Sequence, residues 1–260
     1  MALGLLEQNN LYTMKISSSD FKRFSKQIIL KNIGVNGQKK IFSAKVLVIG
    51  AGGLGCPLIT YLASSGVGNI GVVDHDKVDL SNLSRQTLYT TNDIGKLKVV
   101  ITKDKIKKIN KKINVTIYKT RIEKHNIKKI LENYDIICDG TDNFKTRLLI
   151  NDYCLRQKKI LISAAIEKFD GQIFSFNFKK KNPCFRCFMP DVPEISNKCD
   201  AEGVMPTLAG LAGVLQANEV IKNILGIKSD ITGKVLIFNS LSLNFRKVKL
   251  TKNSKCINRC

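Results

Sequence analysis

Lys45-Val-Leu-Val-Ile-Gly-Ala-Gly-Gly-Leu-Gly55 is the stretch of sequence that decides the fold. Its apolar run is continuous rather than alternating, which is typical of a strand covered on both faces of a parallel sheet. The glycines that follow have G-x-G-x-x-G spacing and lead into a predicted helix at residues 57–65. In that context glycine permits a tight turn and lets backbone N–H groups approach phosphate at the helix N-terminus. The glycines predicted to bind a nucleotide are Gly50, Gly52, Gly53 and Gly55.

Strand and helix patterns continue to alternate along the chain after this motif. Short apolar runs predict further strands, and amphipathic stretches predict the helices between them. The alternation predicts an α/β fold of Rossmann-like, doubly wound type, with a mostly parallel sheet covered on both faces. The predicted strands are residues 45–49, 69–74, 114–118, 134–139 and 159–164, and the predicted helices are residues 57–65, 95–110, 126–132 and 142–157.

The pattern changes after Ala165. Residues 171–178 alternate apolar and polar side chains, which indicates a half-buried antiparallel strand. The elements predicted beyond it are a Pro- and Cys-containing loop at 179–205, a helix at 207–225 and a closing strand pair at 234–238 and 243–250. We therefore expect an antiparallel C-terminal extension of the sheet. The predicted divisions are an N-terminal extension 1–19, a nucleotide-binding part 20–165 and a β-rich part 166–260.

Length and charge limit the classes of function. The 260 residues suffice for one full-sized domain with a smaller annex. Lys+Arg 43 against Asp+Glu 21 gives a net charge of +22, but the lysines are spread along the whole chain without an RNA-recognition signature, so we do not expect a nucleic acid as the main partner. No apolar run approaches the ~20 residues of a membrane-spanning helix. No secretory signal is recognisable, so we expect a reducing compartment.

Acidic and basic side chains follow the second predicted strand. Asp74 ends this strand, where an acid can hold a ribose hydroxyl. Ser81-Asn-Leu-Ser-Arg-Gln86 comes next, and the planar fork of Arg85 suits a polyphosphate. Ser81 and Asn82 are candidate neighbours of the same phosphates. Lys98 adds a point charge, although a solvated helix face is the better explanation of this lysine taken alone in so basic a chain.

A polar segment, Asp139-Gly-Thr-Asp-Asn143, follows the fourth predicted strand. The carboxyl ends of the strands line the ligand crevice of a doubly wound sheet. Asp142 is therefore placed to hold Mg²⁺ against phosphate oxygens, and Asn143 to orient nearby groups. Capping of the following helix by Asp142 or Thr141 is the structural alternative, and both roles can hold together.

Two close cysteine pairs predict a structural zinc site. Cys184 and Cys187 have C-x2-C spacing, whereas Cys256 and Cys260 have C-x3-C spacing. Four thiolates would clip the C-terminal residues onto the Pro/Cys loop, and the polar residues around them argue against burial in an apolar core. Cys199 is left over in a polar loop, where its thiol is either a nucleophile or inert; composition alone leaves the two interpretations about even.

A set of ordered motifs gives the chain a resemblance to one family. Besides the glycine motif and the two polar segments, the set includes Arg23-Phe-Ser-Lys-Gln-Ile-Ile-Leu30, Cys184-Phe-Arg-Cys187 and Gly203-Val-Met-Pro206. From about Asp20 to Cys260, the chain resembles the ThiF/MoeB/HesA family, bacterial-type relatives of ubiquitin-activating enzymes. These enzymes are adenylyltransferases for the sulfur-carrier proteins of molybdopterin and thiamine synthesis.

The resemblance implies a reaction. Mg-ATP would adenylate the C-terminal glycine of a small ubiquitin-like sulfur carrier that ends in Gly-Gly, releasing pyrophosphate. Such a reaction depends on positioning and on neutralising charge rather than on a general base, since a carboxylate is already ionised at neutral pH. The residues implied to hold ATP are Gly53, Asp74, Asn82, Arg85 and Lys98, and the implied catalytic residues are Arg85, Lys98, Asp142 with its Mg²⁺, and Cys199 at the family's catalytic-cysteine position.

The resemblance also implies partners. In the family an N-terminal basic pair reaches the nucleotide of the partner subunit, and its match here is Arg23 and Lys26, so we expect a homodimer. Lys26 stands where the family usually has Arg, which keeps the charge but loses the bidentate fork. No rhodanese-like domain follows, so we expect a separate sulfurtransferase. The pathway, molybdopterin or thiamine, stays open, and the expected compartment is the cytoplasm or a plastid stroma.

Three other functions are weighed against this one. The first is a relative that activates a small carboxylate on tRNA, as threonylcarbamoyladenosine dehydratases do; the cysteine pairs argue against it. The second is an inactive scaffold for a ubiquitin-like protein, against which the complete set of Arg85, Lys98 and Asp142 argues. The third is a nicotinamide-dependent dehydrogenase, for which His75 and His125 are poorly placed proton relays.

Overall fold

One eight-stranded sheet runs through residues 15–192, 203–258 and 260, which are the residues that this computed structural model describes. The strand order is β3-β2-β1-β4-β5-β6-β7-β8. The strands are β1 Lys45–Ile49, β2 Asn69–Val73, β3 Asn114–Tyr118, β4 Ile136–Asp139, β5 Ile160–Glu167, β6 Asp170–Asn177, β7 Lys234–Asn239 and β8 Asn244–Lys249.

The first five strands are parallel and form the doubly wound half of the sheet. Strand β1 pairs with both β2 and β4, so Ile49 lies opposite Val73 on one side and Asp139 on the other. Strand order therefore reverses at β1, and a crevice opens beyond the carboxyl ends of β1 and β4. The predicted α/β class and doubly wound topology are confirmed.

The antiparallel extension is also confirmed. Strand β5 pairs with β6 from Ile160 opposite Asn177 to Glu167 opposite Asp170, and β7 and β8 continue the antiparallel order. The end predicted for β5 at residue 164 was too early, because the hairpin with β6 prolongs the strand to Glu167.

Helices cover both faces of the sheet. Their bounds are α1 Ser18–Ile28, α2 Gly34–Ser43, α3 Gly55–Ser65, α4 Lys98–Ile109, α5 Ile127–Leu131, α6 Phe144–Arg156, α7 Phe185–Phe188 and α8 Pro206–Leu225. The sequence did not predict α1 or α2, and α7 lies within the predicted loop. Helix α4 begins three residues later than predicted, because Gly95 has a φ of 80° and Leu97 bridges to Lys77. Among the described residues, none of the helices is long and apolar enough to cross a membrane.

Two apolar layers position the crevice. Helices α3, α4 and α8 pack on one face of the sheet, around side chains such as Leu58 and Val99, and α5 and α6 pack on the other. Helix α8 lies so close to the start of α3 that position 213 has no room for a side chain. A Cβ at Gly213 would overlap the Leu54 carbonyl oxygen and the Pro57 ring. The glycine at position 213 therefore allows α8 to lie beside the glycine motif.

Candidate nucleotide-binding site and cysteine cluster

The glycine motif forms an open loop between β1 and α3. Gly50 has a φ of 95°, and a Cβ there would lie 2.8 Å from the Gly140 carbonyl oxygen, so this position requires glycine. A Cβ at Gly53 would lie 3.1 Å from the Ala209 Cβ. No side chain caps the start of α3 at Leu54. The Cys56 N–H donates to the Gly52 carbonyl oxygen at 2.9 Å and Pro57 has no N–H, so the donors that remain for phosphate oxygens are the N–H groups of the glycine loop before Cys56.

Two side chains fix the Ala51 peptide groups within this loop. The Ala51 N–H donates to Asp74 Oδ2 at 2.7 Å, and the Tyr89 hydroxyl donates to the Ala51 carbonyl oxygen at 2.7 Å. Tyr89 also lies 3.0 Å from the Thr102 hydroxyl, and its burial raises its pKa above the usual range. Asp74 thus stands at the predicted place and already orders the loop. Tyr89 was missed, because no spacing links it to the glycines.

Arg85 lies against the same loop, and Ser81 and Asn82 form the turn that precedes it. A 3₁₀ turn at Leu80–Asn82 is capped by Asp79, whose Oδ1 accepts from the Ser81 N–H at 2.8 Å. Arg85 Nη1 donates to the Ser81 carbonyl oxygen at 3.1 Å. The Arg85 Cγ lies 3.5 Å from the position of a Cβ on Gly53. The structure therefore brings the predicted guanidinium segment against the predicted phosphate loop.

Lys98 is buried at the start of α4, with only 5% of its surface exposed. Its Nζ lies 3.2 Å from Asp76 Oδ2, and its N–H donates to the Asp76 carbonyl oxygen at 2.9 Å. The explanation of Lys98 as part of a solvated face was wrong. Asp76, which the sequence did not single out, holds the ammonium group near Asp74 at the end of β2. His75 and His125 are both exposed, as expected for surface residues.

The loop after β4 rests on a buried ion pair. Asp139 is fully buried, and its Oδ2 accepts from Arg147 Nε at 2.9 Å and from Ser163 Oγ at 2.6 Å. Its Oδ1 accepts from the Thr141 hydroxyl at 2.6 Å. Arg147 Nη2 donates to the carbonyl oxygens of Thr141 and Ala164, at 2.8 and 2.7 Å. Every contact fixes the base of the loop that carries Asp142.

Asp142 and Asn143 are exposed above this base. Asn143 Oδ1 accepts from the Thr146 N–H at 2.9 Å and is the N-cap of α6. Capping by Asp142 or Thr141 was therefore wrong, and the Asp142 carboxylate is not used as the cap. The Gly140 N–H donates to the Ile49 carbonyl oxygen at 2.9 Å, so this loop adjoins the glycine loop across β1 and β4.

Replacing Arg147 by lysine tests the buried base. Lysine keeps the charge but cannot donate to Asp139, Thr141 and Ala164 together. We expect the free energy of unfolding to fall by about 1–3 kcal/mol, the usual cost of unmade buried hydrogen bonds. Urea unfolding of R147K measures this change, and an unchanged unfolding midpoint would contradict the structural role given to the Arg147 hydrogen bonds. Lys145 of the same helix is exposed, and K145R is the control expected to keep the midpoint.

Arg23 and Lys26 are not brought to this site within one chain. Both are exposed on α1, and Arg23 Nη2 donates to the carbonyl oxygen of Ile109. Ile109 ends α4, roughly 17 Å of helix away from Lys98 at its start, at 1.5 Å per residue. Their predicted action on the nucleotide of a partner subunit stays a prediction. Cys199 lies outside the described residues.

The four paired cysteines form one cluster. Cys184 Sγ lies 3.7 Å from Cys256 Sγ, and Cys187 Sγ lies 3.2 Å from Cys260 Sγ. All four sulfurs lie within 4.8 Å of one another, and four thiols at this spacing fit the donor set of tetrahedral zinc. The cluster was predicted, but its exclusion from the core was wrong: Cys184 is fully buried and Cys256 nearly so.

The surroundings of three of these thiols shift their pKa values in different directions. Hydrogen bonds from the backbone of Asn253 and Cys184 outweigh burial at Cys187 and hold its pKa below the usual value. Burial and the adjacent sulfurs raise the pKa of Cys256 and Cys260. A bound metal would supply positive charge that favours the thiolate form of its ligands.

Helix α6 links the cluster to the acidic loop. Arg186, between the first two cysteines, donates from Nε to Asp152 Oδ1 at 2.8 Å. Asn258 Nδ2 donates to the same oxygen at 2.7 Å and lies 3.8 Å from Cys184 Sγ. Burial opposes ionisation of Asp152, but these two donors lower its pKa below the usual value. One end of α6 thus follows Asp142, and its later turns hold the cysteine loop.

The fold and the site together define a nucleotide-binding α/β protein, with its phosphate loop, basic side chains and acidic loop at the switch point of a doubly wound sheet. Residues 24–258 match the ThiF family, and the chain belongs to that family.

Named relatives and a solved structure agree with this membership. A probable molybdopterin-synthase adenylyltransferase from Porphyra purpurea is 45% identical over 90% of the chain and 62% of its own length. A sulfur carrier protein adenylyltransferase from Thermus thermophilus is 37% identical over 94% of the chain and 92% of its own length. E. coli MccB, in a crystal structure with ATP, superposes with a TM-score of 0.77 at 25% identity, over 96% of this chain and 83% of its own. The chain spans less than two thirds of the Porphyra protein's length.

Proposed function

We propose that the chain uses ATP to adenylate the C-terminal glycine of a small ubiquitin-like sulfur-carrier protein. The observation that carries the proposal is the meeting of Arg85, Lys98 and the Asp142 loop around the glycine loop at one crevice. The likeness to relatives named as adenylyltransferases of molybdopterin synthase and of a sulfur carrier supports the substrate class. The structural likeness to MccB with ATP supports the nucleotide.

In the reaction that we propose, the carrier carboxylate attacks the α-phosphorus of ATP. A bond forms between a carboxylate oxygen and phosphorus, the bond to the bridging oxygen breaks, and its electron pair leaves with pyrophosphate. No proton is removed, because the carboxylate is already ionised at neutral pH. Arg85 and Lys98 would neutralise the leaving pyrophosphate, while the N–H groups of the glycine loop would bind phosphate oxygens.

Mg²⁺ fits the acidic loop by the chemistry of its donors. Asp142 offers an exposed carboxylate that is not used as the cap of α6, whereas Asn143 Oδ1 is the cap; carboxylate oxygens are ligands that Mg²⁺ prefers. We propose that Asp142 holds the ion against ATP. When bound, Mg²⁺ supplies charge that stabilises the departing phosphate groups.

We propose Zn²⁺ as the occupant of the cysteine cluster. The four sulfurs come from two segments far apart in sequence, one around α7 and one at residues 256–260. A tetrahedral thiolate site would tie these segments together and serve structure rather than chemistry. We propose a reducing compartment, a cytoplasm or a plastid stroma, because thiolates that hold zinc must stay reduced.

The remaining assignments concern partners. We propose a homodimer in which Arg23 and Lys26 of one subunit reach the nucleotide of the other, and a separate sulfurtransferase that acts on the adenylated carrier. Exposure of both basic side chains on α1 supports the first assignment. We propose molybdopterin synthesis rather than thiamine synthesis as the pathway, on the name of the Porphyra relative. We also propose Cys199 as a candidate nucleophile.

Carrier-dependent exchange of labelled pyrophosphate into ATP tests the proposed function. We expect exchange with a purified carrier ending in Gly-Gly, and none with the same carrier lacking its last glycine, because the shortened tail would hold its carboxylate about 3.5 Å short of the α-phosphorus. Mass spectrometry of the carrier should detect the AMP adduct. Exchange that needs no carrier, or that needs tRNA instead, would contradict the proposal.

A further inference from the structure

One carboxylate of α6 contacts residues inside both cysteine pairs. Asp152 Oδ2 accepts from Arg186 Nη2 at 2.8 Å, and Arg186 lies within the C-x2-C pair. Asp152 Oδ1 accepts from Asn258 Nδ2 at 2.7 Å, and Asn258 lies within the C-x3-C pair. A single side chain therefore joins the middle of one cysteine pair to the middle of the other.

The contact with Asp152 also sets the orientation of the Asn258 amide. An ionised carboxylate only accepts hydrogen bonds, so Nδ2 rather than Oδ1 of Asn258 must face it. The same Nδ2 lies 3.8 Å from Cys184 Sγ, and its second hydrogen is free to point at that sulfur. Asn258 thus links the carboxylate and its own cysteine pair to a sulfur of the other pair.

The neighbouring residue of α6 supports the same arrangement. Asn151 is fully buried, its Oδ1 accepts from the Phe185 N–H at 2.9 Å, and its Nδ2 donates to Asp152 Oδ1 at 3.0 Å. Arg186 donates to the carboxylate from both Nε and Nη2, and from Nη1 to the Pro190 carbonyl oxygen at 2.7 Å. Two successive residues of α6 therefore fix the backbone and the central side chain of the first cysteine pair.

We propose that Asp152 is a positioning residue for the metal of the cysteine cluster. Ionised thiolates repel one another, so a site of four sulfurs binds a cation more tightly when other contacts already hold its ligands together. Asp152 supplies such contacts through Arg186 and Asn258, without being a ligand itself. This inference rests on the proposed zinc site and names the side chain that sets the affinity of that site.

Asp152→Asn tests the proposal, because asparagine keeps the shape but loses the charge and one of the two accepting oxygens. The Kd of the full chain for Zn²⁺, measured by competition with a chromophoric chelator, should rise about 10–100-fold, the usual effect of losing an outer partner of metal ligands. The expected readout is metal affinity, which a loss of stability elsewhere in the fold would not change.

Asn258→Leu is a second, milder variant, because it keeps the ion pair of Arg186 with Asp152 and removes only the link to the second cysteine pair. Its Kd for Zn²⁺ should also rise. Since Asp152 and Asn258 act through one contact, the rise in the double variant should be smaller than the product of the two single rises. A double variant whose rise equals that product would overturn the joint role.

Two controls separate positioning from stability and from charge. Glu219→Gln makes the same chemical change at a buried carboxylate of α8, which accepts from Lys222 Nζ at 2.7 Å and from the Ser229 hydroxyl. E219Q should lower the Tm but keep the Kd for Zn²⁺. Asp191→Asn removes an exposed charge near Arg186, and its Kd should also stay unchanged, because Asp191 Oδ1 accepts from its neighbour's N–H rather than from Arg186.

The outcomes distinguish this inference from the zinc site on which it rests. An unchanged Kd for Zn²⁺ in D152N would overturn the positioning role and leave the zinc site intact. An equal rise of the Kd in E219Q would overturn it as well, because a general loss of stability would then explain the effect. Absence of zinc binding by the unchanged chain would overturn the zinc site and this inference together.

Discussion

Asp142→Asn should lower carrier-dependent pyrophosphate exchange by about 10²–10³-fold, the usual effect of removing one group that stabilises transition-state charge. Asparagine keeps the shape and one oxygen but loses the negative charge that would hold Mg²⁺. Because Asn143 rather than Asp142 caps α6, the substitution leaves the cap in place. The Tm should therefore stay unchanged while the rate falls, and the Mg²⁺ concentration for half-maximal exchange should rise.

Asp135→Asn is the matched control for this prediction. Asp135 directly precedes β4, so it is an exposed acid at the opposite end of the strand that leads to Asp142. D135N should exchange pyrophosphate at the unchanged rate, which excludes a general effect of net charge. An unchanged rate in D142N would contradict the role of Asp142 and would revive the scaffold hypothesis.

The parallel half of the fold could be predicted because its information is local. Each strand from β1 to β5 is an apolar run, and glycine spacing fixed the turn into α3. Helix α1 was missed for a different reason: its sequence is amphipathic, with Phe24 and Ile28 buried, but it precedes the alternation of strands and helices from which the other elements were predicted. The end of β5 was also predicted too early. Pairing with β6 determines where the strand ends, and no residue within β5 signals that point.

The residues of the candidate site likewise fall into those that the sequence could indicate and those that it could not. Asp74, Arg85 and Asp142 could be predicted, because each follows a strand end within a recognisable motif. The buried state of Lys98 could not, since it depends on Asp76, 22 residues away. The support from Arg147 and Tyr89 likewise depends on contacts between elements that are separate in sequence. A single sequence carries no signal for such contacts, and only the assembled sheet brings them together.

The same division holds for the cysteines. Their spacing predicted four ligands, but their burial depends on where the sheet places them. Cys184 lies in the apolar layer with Phe185, while Arg186 turns outward to Asp152. Polar neighbours in sequence were therefore a poor guide to burial. Asn258 donates to Asp152 of α6, so this helix also supports the cysteine cluster. The spacing of the cysteines does not reveal that contact.

Cys184→Ser should abolish binding of the proposed zinc and lower the Tm by roughly 10 °C. Loss of one thiolate breaks a four-sulfur site, and structural zinc contributes binding free energy directly to folding. For a chain of this size, each kcal/mol shifts the Tm by about 2–4 °C, so the expected fall corresponds to several kcal/mol. Metal analysis should find about one zinc per unchanged chain and little in C184S, and the variant's Tm should no longer respond to a chelator.

Cys154→Ser separates metal binding from burial. Cys154 is as completely buried as Cys184 and lies on α6, but it does not belong to the cluster. The same substitution there places a hydroxyl in the core without removing a ligand, so C154S should keep its zinc, its chelator response and most of its Tm. Equal losses of Tm in C154S and C184S would show that burial alone explains the effect. An unchanged protein purified without zinc, whose Tm does not rise when zinc is added, would refute the metal assignment, because a structural site must contribute its binding free energy to folding.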